Sequence, residues 1–201
     1  MAAPTPLGDT CDIDLVRRAT AGERDAFAEI YRRYHTVVYR FARMMSGSEV
    51  IAEDVTQETF TTLLRNLERY IPGRAELSTY LYGVARNITR SRLRRERRFV
   101  RLHINEETEP ISTRDPSTVL EQSRQRRQLR RIIAELPSRY REVIILCALH
   151  GLSYAEVAMI LGTPVGTVRS RLSRGRRAIA DRLRELEEEP VVPAGVTRCV
   201  V

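Results

Sequence analysis

The sequence predicts an all-α protein of two small helical domains joined by a flexible linker. Three observations carry this. Apolar residues recur at three- and four-residue spacing over long segments, and strand-like alternation is scarce. An internal stretch, HINEETEPISTRDPSTVL, is acidic, holds two prolines and has little periodicity. Further on, LSYAEVAMILGTP carries the punctuation of a helix, a tight turn and a second helix.

The elements follow in order. From Asp12 to Met45 the apolar set is Leu15, Val16, Phe27, Ile30, Tyr31, Tyr34, Val38 and Phe41. Ala21-Gly22 interrupts it, so two helices are expected there. SGSE at 46–49 breaks the pattern before a third helix with Ile51, Val55, Phe60, Leu63, Leu64 and Leu67. Pro72-Gly73 marks a loop, and a fourth helix starts near Ser78. These make a first domain, residues 1–101. Residues 102–124 are the linker, and helices resume near Gln125 for a second domain, 125–188. Leu136-Pro137 punctuates it before YREVIILCALH. The tail, 189–201, is expected to be loosely ordered.

Composition narrows the function. The 201 residues carry a net charge of +8, with 42% apolar and 30% charged residues. Arginine supplies all 34 basic residues; a GC-rich coding bias explains most of that. Each is a planar fork suited to phosphates and guanine edges, so a polyanionic partner is expected. Cys11, Cys147 and Cys199 are odd in number and widely spaced, so neither a disulfide framework nor a zinc site is indicated. Cys147 reads as a small core residue. His35, His103 and His150 are scattered, and P-loop, metal cluster and nucleophile motifs are lacking. No enzyme activity, cofactor or metal is expected. His150, near a helix C-terminus, reads as a dipole partner. Without a signal peptide or an apolar run of ~18 residues, the expectation is a cytoplasmic protein with no membrane insertion.

In the second domain, Ser153 and Glu156 form a capping box, with Leu152 and Val157 placed as a staple. Gly162 ends that helix, Thr163 caps the next and Pro164 sits in its first turn. Residues 166–183, GTVRSRLSRGRRAIADRL, then hold six arginines against one acid. At 100° per residue Val168, Leu172, Gly175 and Ile179 share a narrow arc that should pack inward. Gly166, Ser170, Ser173, Arg174 and Arg177 lie opposite, with Arg169 and Arg176 on one flank and Arg171 on the other. A solvated face mixes signs. This one is cationic with small residues between, as a helix entering a DNA groove needs, so Thr167, Arg169, Ser170, Arg171, Ser173, Arg174, Arg176 and Arg177 are its candidate DNA contacts.

The first domain carries a second cationic surface. RNITRSRLRRERRFVR, residues 86–101, holds eight arginines and one glutamate. Arg90, Arg94, Arg97, Arg98 and Arg101 fall along one helical face. Tyr70, Tyr80 and Tyr82 lie just upstream, and rings beside arginines suit single-stranded nucleic acid. For Tyr82 a core position is an equal alternative. Asn87 can hydrogen-bond a base edge. Two basic helices on one tether suggest one DNA held at two places: 23 linker residues span ~25–30 Å as a coil and ~75 Å extended.

At this point the chain resembles the extracytoplasmic-function sigma factors, small two-domain initiation factors of bacterial RNA polymerase. DAFAEIYRRY (25–34), AEDVTQETF (52–60), STYLYGVARN (78–87) and LSYAEVAMILGTPVGTVRSRLSRGRRAI (152–179) carry the resemblance, in order, over nearly the whole chain. It implies that the AEDVTQETF helix binds the clamp coiled coil of the polymerase core through Asp54, Gln57, Glu58 and Phe60; for Phe60 a core role is the alternative. It implies that Tyr70, Tyr80, Asn87, Arg90 and Arg94 melt and read the downstream (−10) element. The GTVRSRLSRGRR helix would read the upstream (−35) element, with Arg169, Ser170 and Ser173 on bases and Arg171, Arg174, Arg176 and Ser153 on phosphates. An anti-sigma factor is a further expected partner. Tyr80 stands where the family usually has tryptophan. A conventional repressor or activator, a decoy that only sequesters an anti-sigma factor, and a general RNA-binding protein are the alternatives. Core-polymerase binding separates the first reading from these.

Overall fold

The computed structural model describes residues 11–70, 75–102 and 120–188. Loop residues 71–74, most of the expected linker and the tail with Cys199 lie outside them, as do the Arg97 and Arg101 side chains. The described residues form helices without a strand: α1 (Asp12–Thr20), α2 (Arg24–Ser46), α3 (Glu49–Arg65), α4 (Leu77–Leu102), α5 (Leu120–Glu135), α6 (Ser138–Ile144), α7 (Tyr154–Leu161) and α8 (Val165–Glu188). A 3₁₀ turn follows α3 at Leu67–Arg69, and a π turn continues α6 through Ile145–Leu149.

Helix boundaries follow from local chemistry. Gly47 closes α2 in the left-handed region at φ 78°, and Ser48 Oγ accepts the Ile51 N–H to start α3. Gly162 closes α7 at φ 61°, and the Thr163 N–H reaches back to Ala158 O at 3.1 Å. That bond assigns Thr163 to the end of α7. Its Oγ1 is buried without a hydrogen-bond partner, so Thr163 is not the cap of α8. The Pro164 carbonyl instead receives the Thr167 and Val168 N–H groups. α5 begins at Leu120, inside the expected linker, because the acidic, proline-bearing composition there obscured the start of its period.

The first unit, α1–α4, closes around Leu15, Ile30, Val38, Phe41, Met45, Val55, Leu63 and Leu81, all fully buried. Each such side chain stabilises the fold by about 1.5–3 kcal/mol. The second, α5–α8, closes around Ile133, Val143, Ile145, Leu146, Val157 and Val168. Gly175 lets α8 lie against α6: a Cβ there would meet Ile144 Cγ1 at 3.0 Å and Tyr140 Cβ at 3.4 Å. Gly175→Leu is therefore expected to cost about 1–3 kcal/mol by overpacking. Thermal denaturation checks this, and an unchanged midpoint would show that the contact gives way freely.

The two units pack directly on one another. α7 lies on α4, while α5 and the π turn lie against α2. The π turn closes with the His150 N–H on Ile145 O at 3.0 Å, and the His150 ring enters the join. Its Nδ1 shares a 2.7 Å hydrogen bond with Tyr82 Oη, and Phe41 meets both rings edge-on. Burial holds the imidazole down to about 4, with the Arg40 charge adding to it, and pushes the Tyr82 phenol up to about 12. His150 is thus a neutral joint residue rather than a charged dipole partner. Cys147 is half-buried and packs against the core.

A pH dependence follows. The folded-state pKa of His150 lies below its unfolded value of about 6.5. Stability is therefore undiminished above about pH 6.5 and falls as pH drops from there towards 4. Thermal melts between pH 7 and 5 should show this slope, and His150→Gln should flatten it. Glu29 and Glu156, lowered by their hydrogen bonds to Arg33 and Ser153, add to the loss only as pH falls to about 4.5 and below, outside the pH 7 to 5 melts.

Candidate nucleic-acid interface

The helix-turn-helix builds its outward face from the predicted residues. Both halves of the capping box are present: the Glu156 N–H donates to Ser153 Oγ at 3.3 Å, and the Ser153 N–H donates to Glu156 Oε2 at 2.7 Å. These bonds, with Thr79 Oγ1 adding, hold the Glu156 carboxyl below its usual range. Ser153 Oγ spends a lone pair on the cap and keeps its proton for an outside acceptor. Along α8, Val168, Leu172 and Gly175 are buried and Ile179 is half-buried. Gly166, Arg169, Ser170, Ser173, Arg174, Arg176 and Arg177 are exposed; Thr167 and Arg171 are half-buried.

Two of these arginines act on tyrosines of the neighbouring helices. The Arg169 guanidinium lies 5.7 Å from the Tyr154 ring centroid, within cation–π range. The Arg174 guanidinium and then that of Arg139 keep the Tyr140 phenol below its usual range. Tyr154 and Tyr140 were not singled out from sequence. Tyr154 sits one residue past the Ser153 cap, which was the available signal.

α4 presents the second cationic face. Asn87, Arg90 and Arg94 are exposed. Tyr80 is half-buried, its ring 5.5 Å from that of Tyr70 in an edge contact. Tyr70 differs from expectation: it is only 8% exposed and its hydroxyl donates to Ala75 O at 2.9 Å. A ring seated in the core and anchored at its far end is a wall for Tyr80, not a free stacking platform. Tyr82 is likewise buried, in the join between the units.

A third surface lies on α3. Asp54 and Glu58 are half-exposed and Gln57 is exposed beside them. Arg92 of α4 bridges the two acids, with Nη1 2.6 Å from Asp54 Oδ2 and Nη2 2.7 Å from Glu58 Oε2. Together with Thr61 these residues line a shallow concavity. Arg92 was missed among the eight arginines of its run; its place three residues after the buried Thr89 turns it towards α3. Phe60 is buried, 3% exposed beneath Tyr31, at 4.7 Å between centroids. Of the four candidate residues on α3, Asp54, Gln57 and Glu58 are the exposed ones.

Among the described residues no His, Cys, Asp and Glu group could hold a metal ion, and no helix is long and apolar enough to cross a membrane.

Residues 30–99 match the family model of sigma-70 region 2, and residues 126–179 that of sigma-70 region 4. The chain is 34% identical to the ECF RNA polymerase sigma factor SigE of Mycolicibacterium smegmatis over 80% of its own length, spanning 63% of that protein. It is 32% identical to the ECF RNA polymerase sigma factor SigW of Bacillus subtilis over 85% of its length, spanning 96% of that protein. Among solved structures it is similar to the sigma factor RpoE of Bartonella quintana in complex with the anti-sigma factor NepR: TM-score 0.67, 25% identity, 79% of this chain and 96% of that one. CnrH in complex with the cytosolic domain of CnrY matches at TM-score 0.66 and 25% identity, over 87% of this chain and 97% of that one.

Proposed function

The chain belongs to the extracytoplasmic-function group of the sigma-70 family, and on that footing we propose how its residues divide the work of a promoter-directing factor. It directs core RNA polymerase to promoters, reading the −10 element with the first unit and the −35 element with the helix-turn-helix. α3 supplies the core-binding face through Asp54, Gln57 and Glu58. α4 offers Tyr80, Asn87, Arg90 and Arg94 to the melted −10 strand: arginines follow phosphates and the ring and amide meet bases. α8 enters the −35 major groove, with Arg169, Ser170 and Ser173 towards bases and Arg171, Arg174, Arg176 and Arg177 on phosphates. Ser153 and Thr167 hold the backbone at the groove edge.

The chain does no chemistry of its own. Its contribution is binding energy spent on placing the polymerase, and it acts where the polymerase is, in the cytoplasm. An anti-sigma factor is the regulatory partner expected for this group. The solved relatives bound to NepR and to CnrY support that expectation.

The observation that carries the reading is the pairing of a fully built helix-turn-helix with an acidic, solvent-facing α3 surface in one chain. A repressor has no use for the second. Purified chain mixed with core polymerase should give discrete run-off transcripts from fragments of a bacterial genome. If the chain neither binds core nor redirects it, the helix-turn-helix stands but the promoter-directing role falls.

A further inference from the structure

One cationic cluster of the second unit draws on a helix outside the helix-turn-helix. Tyr140 of α6 packs at the level of Gly175 of α8, where an added Cβ would stand 3.4 Å from the Tyr140 Cβ. Arg139, the preceding residue, folds its guanidinium over the Tyr140 ring, 4.9 Å from the centroid. Arg174, the residue before Gly175, flanks the same phenol from α8, and its charge with that of Arg139 makes the phenol O–H a stronger donor. Both arginines are exposed and the tyrosine is half-buried.

Charge sets this cluster apart. Other exposed arginines of the unit are neutralised locally: Arg131 by Glu135, Arg182 by Glu135 and Glu185, Arg184 by Asp181. Among the described residues, Arg139 and Arg174 pair with no carboxylate, and the sequence between Glu156 and Asp181 holds no acid at all. Glu142, the acid of α6, is buried against α4, with Arg86 Nε 2.9 Å and Arg90 Nε 3.7 Å from its carboxylate. Two guanidinium forks and a hydroxyl therefore converge with nothing anionic to satisfy them. A phosphodiester fits that set, because it accepts from several donors at once and supplies the missing charge.

Placement says which phosphodiester. On α8, Arg169 leans on Tyr154 of α7, whereas Arg174 leans towards α6. The two edges of the helix are thus served by different neighbours. A helix in the major groove, about 12 Å wide, has a sugar-phosphate strand along each edge. Ser153 and the start of α7 serve one strand. The cluster of Arg139, Tyr140 and Arg174 lies at the edge facing the other.

We infer that Arg139 and Tyr140 of α6, with Arg174, form a phosphodiester-binding site on the second strand of the duplex that α8 enters, so that the DNA face extends beyond the helix-turn-helix. This inference rests on the promoter-directing role proposed above. Arg139 and Arg174 supply the charge that neutralises the phosphate. The Tyr140 hydroxyl donates to the same group and fixes where it sits, which sets the depth of α8 in the groove.

The test uses the full chain with core polymerase on a promoter fragment selected by run-off transcription. Each phosphate flanking the −35 element is replaced in turn by a neutral methylphosphonate. At one linkage, neutralisation should weaken binding of the parent about tenfold yet have little further effect on Arg139→Ala. Arg139→Ala should also reduce the slope of log K against log salt by about one unit. Tyr140→Phe keeps the ring against Gly175 and should weaken binding about threefold with the slope unchanged, since a lost hydroxyl releases no counterion. Parent-like affinity and slope in Arg139→Ala overturn the site. So do losses that simply add to those of the methylphosphonate at every position, because a structural defect would behave that way. If the parent directs core polymerase to no promoter, the promoter-directing reading has failed instead. Salt titration of the free chain on random duplex then decides whether Arg139 still contributes a phosphate contact.

Discussion

Asp54→Arg combined with Gln57→Ala is expected to lower affinity for core RNA polymerase by about 100-fold or more, with the chain's melting temperature almost unchanged. Asp54 is half-exposed and Gln57 is exposed, so neither contributes to a core. Surface changes of this kind usually stay within about 0.5 kcal/mol of neutral for folding. Loss of the Arg92 pair adds little, since exposed ion pairs contribute about 0–1 kcal/mol. At an interface the effect is different. On the proposed core-binding face Arg92 holds an acidic patch in place, and a cation at position 54 meets Arg92 and reverses the sign that the patch presents. Like charges brought together at an interface cost several kcal/mol, which corresponds to about two decades or more of affinity. Co-purification with core polymerase, followed by titration of labelled chain, reads this directly. Full binding by the double variant would move the core-binding face away from α3. A loss accompanied by a drop in melting temperature would trace it to misfolding instead.

The sequence made some features legible and hid others for physical reasons. Local rules worked where the chemistry is local. The Ser153–Glu156 box, the Gly47 and Gly162 stops and the inward arc of Val168, Leu172 and Gly175 each depend on residues within a turn or two. The outward cationic face of α8 followed from the same wheel. Tyr70 and Phe60 went the other way. An aromatic residue at helical spacing reads equally well as core or as contact, and only the fold shows that both are buried.

The join between the units was illegible. Arg86 and Glu142 are 56 residues apart, and Tyr82 and His150 are 68 apart. Nothing local marks which of eight arginines meets a buried glutamate, or that a histidine after a π turn lies among aromatic rings. The sequence points His150 to a helix dipole because its helix is the only environment the sequence shows. A threonine before proline reads as the cap of α8, whereas the Gly162 turn draws the Thr163 backbone into the end of α7.

Arg169→Ala and Arg174→Ala should fail in different ways. Arg169 lies in the first turns of α8, exposed, with its guanidinium supported by the Tyr154 ring. That support limits the orientations the fork must lose on meeting a base, which favours a bidentate contact. Its removal should cost about 1–3 kcal/mol, concentrated at one base pair of the −35 element, so that the four bases there bind nearly alike. Arg174 lies further along the outward, exposed face of α8 and helps keep the Tyr140 phenol of α6 below its usual range. A guanidinium there, beyond the first turns of the helix, is suited to a phosphate and carries no sequence information. Its removal should weaken every duplex about equally and reduce the slope of log K against log salt by about one unit. Binding of both variants to a −35 duplex and its single-base variants, at three or more salt concentrations, separates the outcomes. Equal, uniform losses for the two would show that the helix lies across the groove in another orientation, with Arg169 on the backbone.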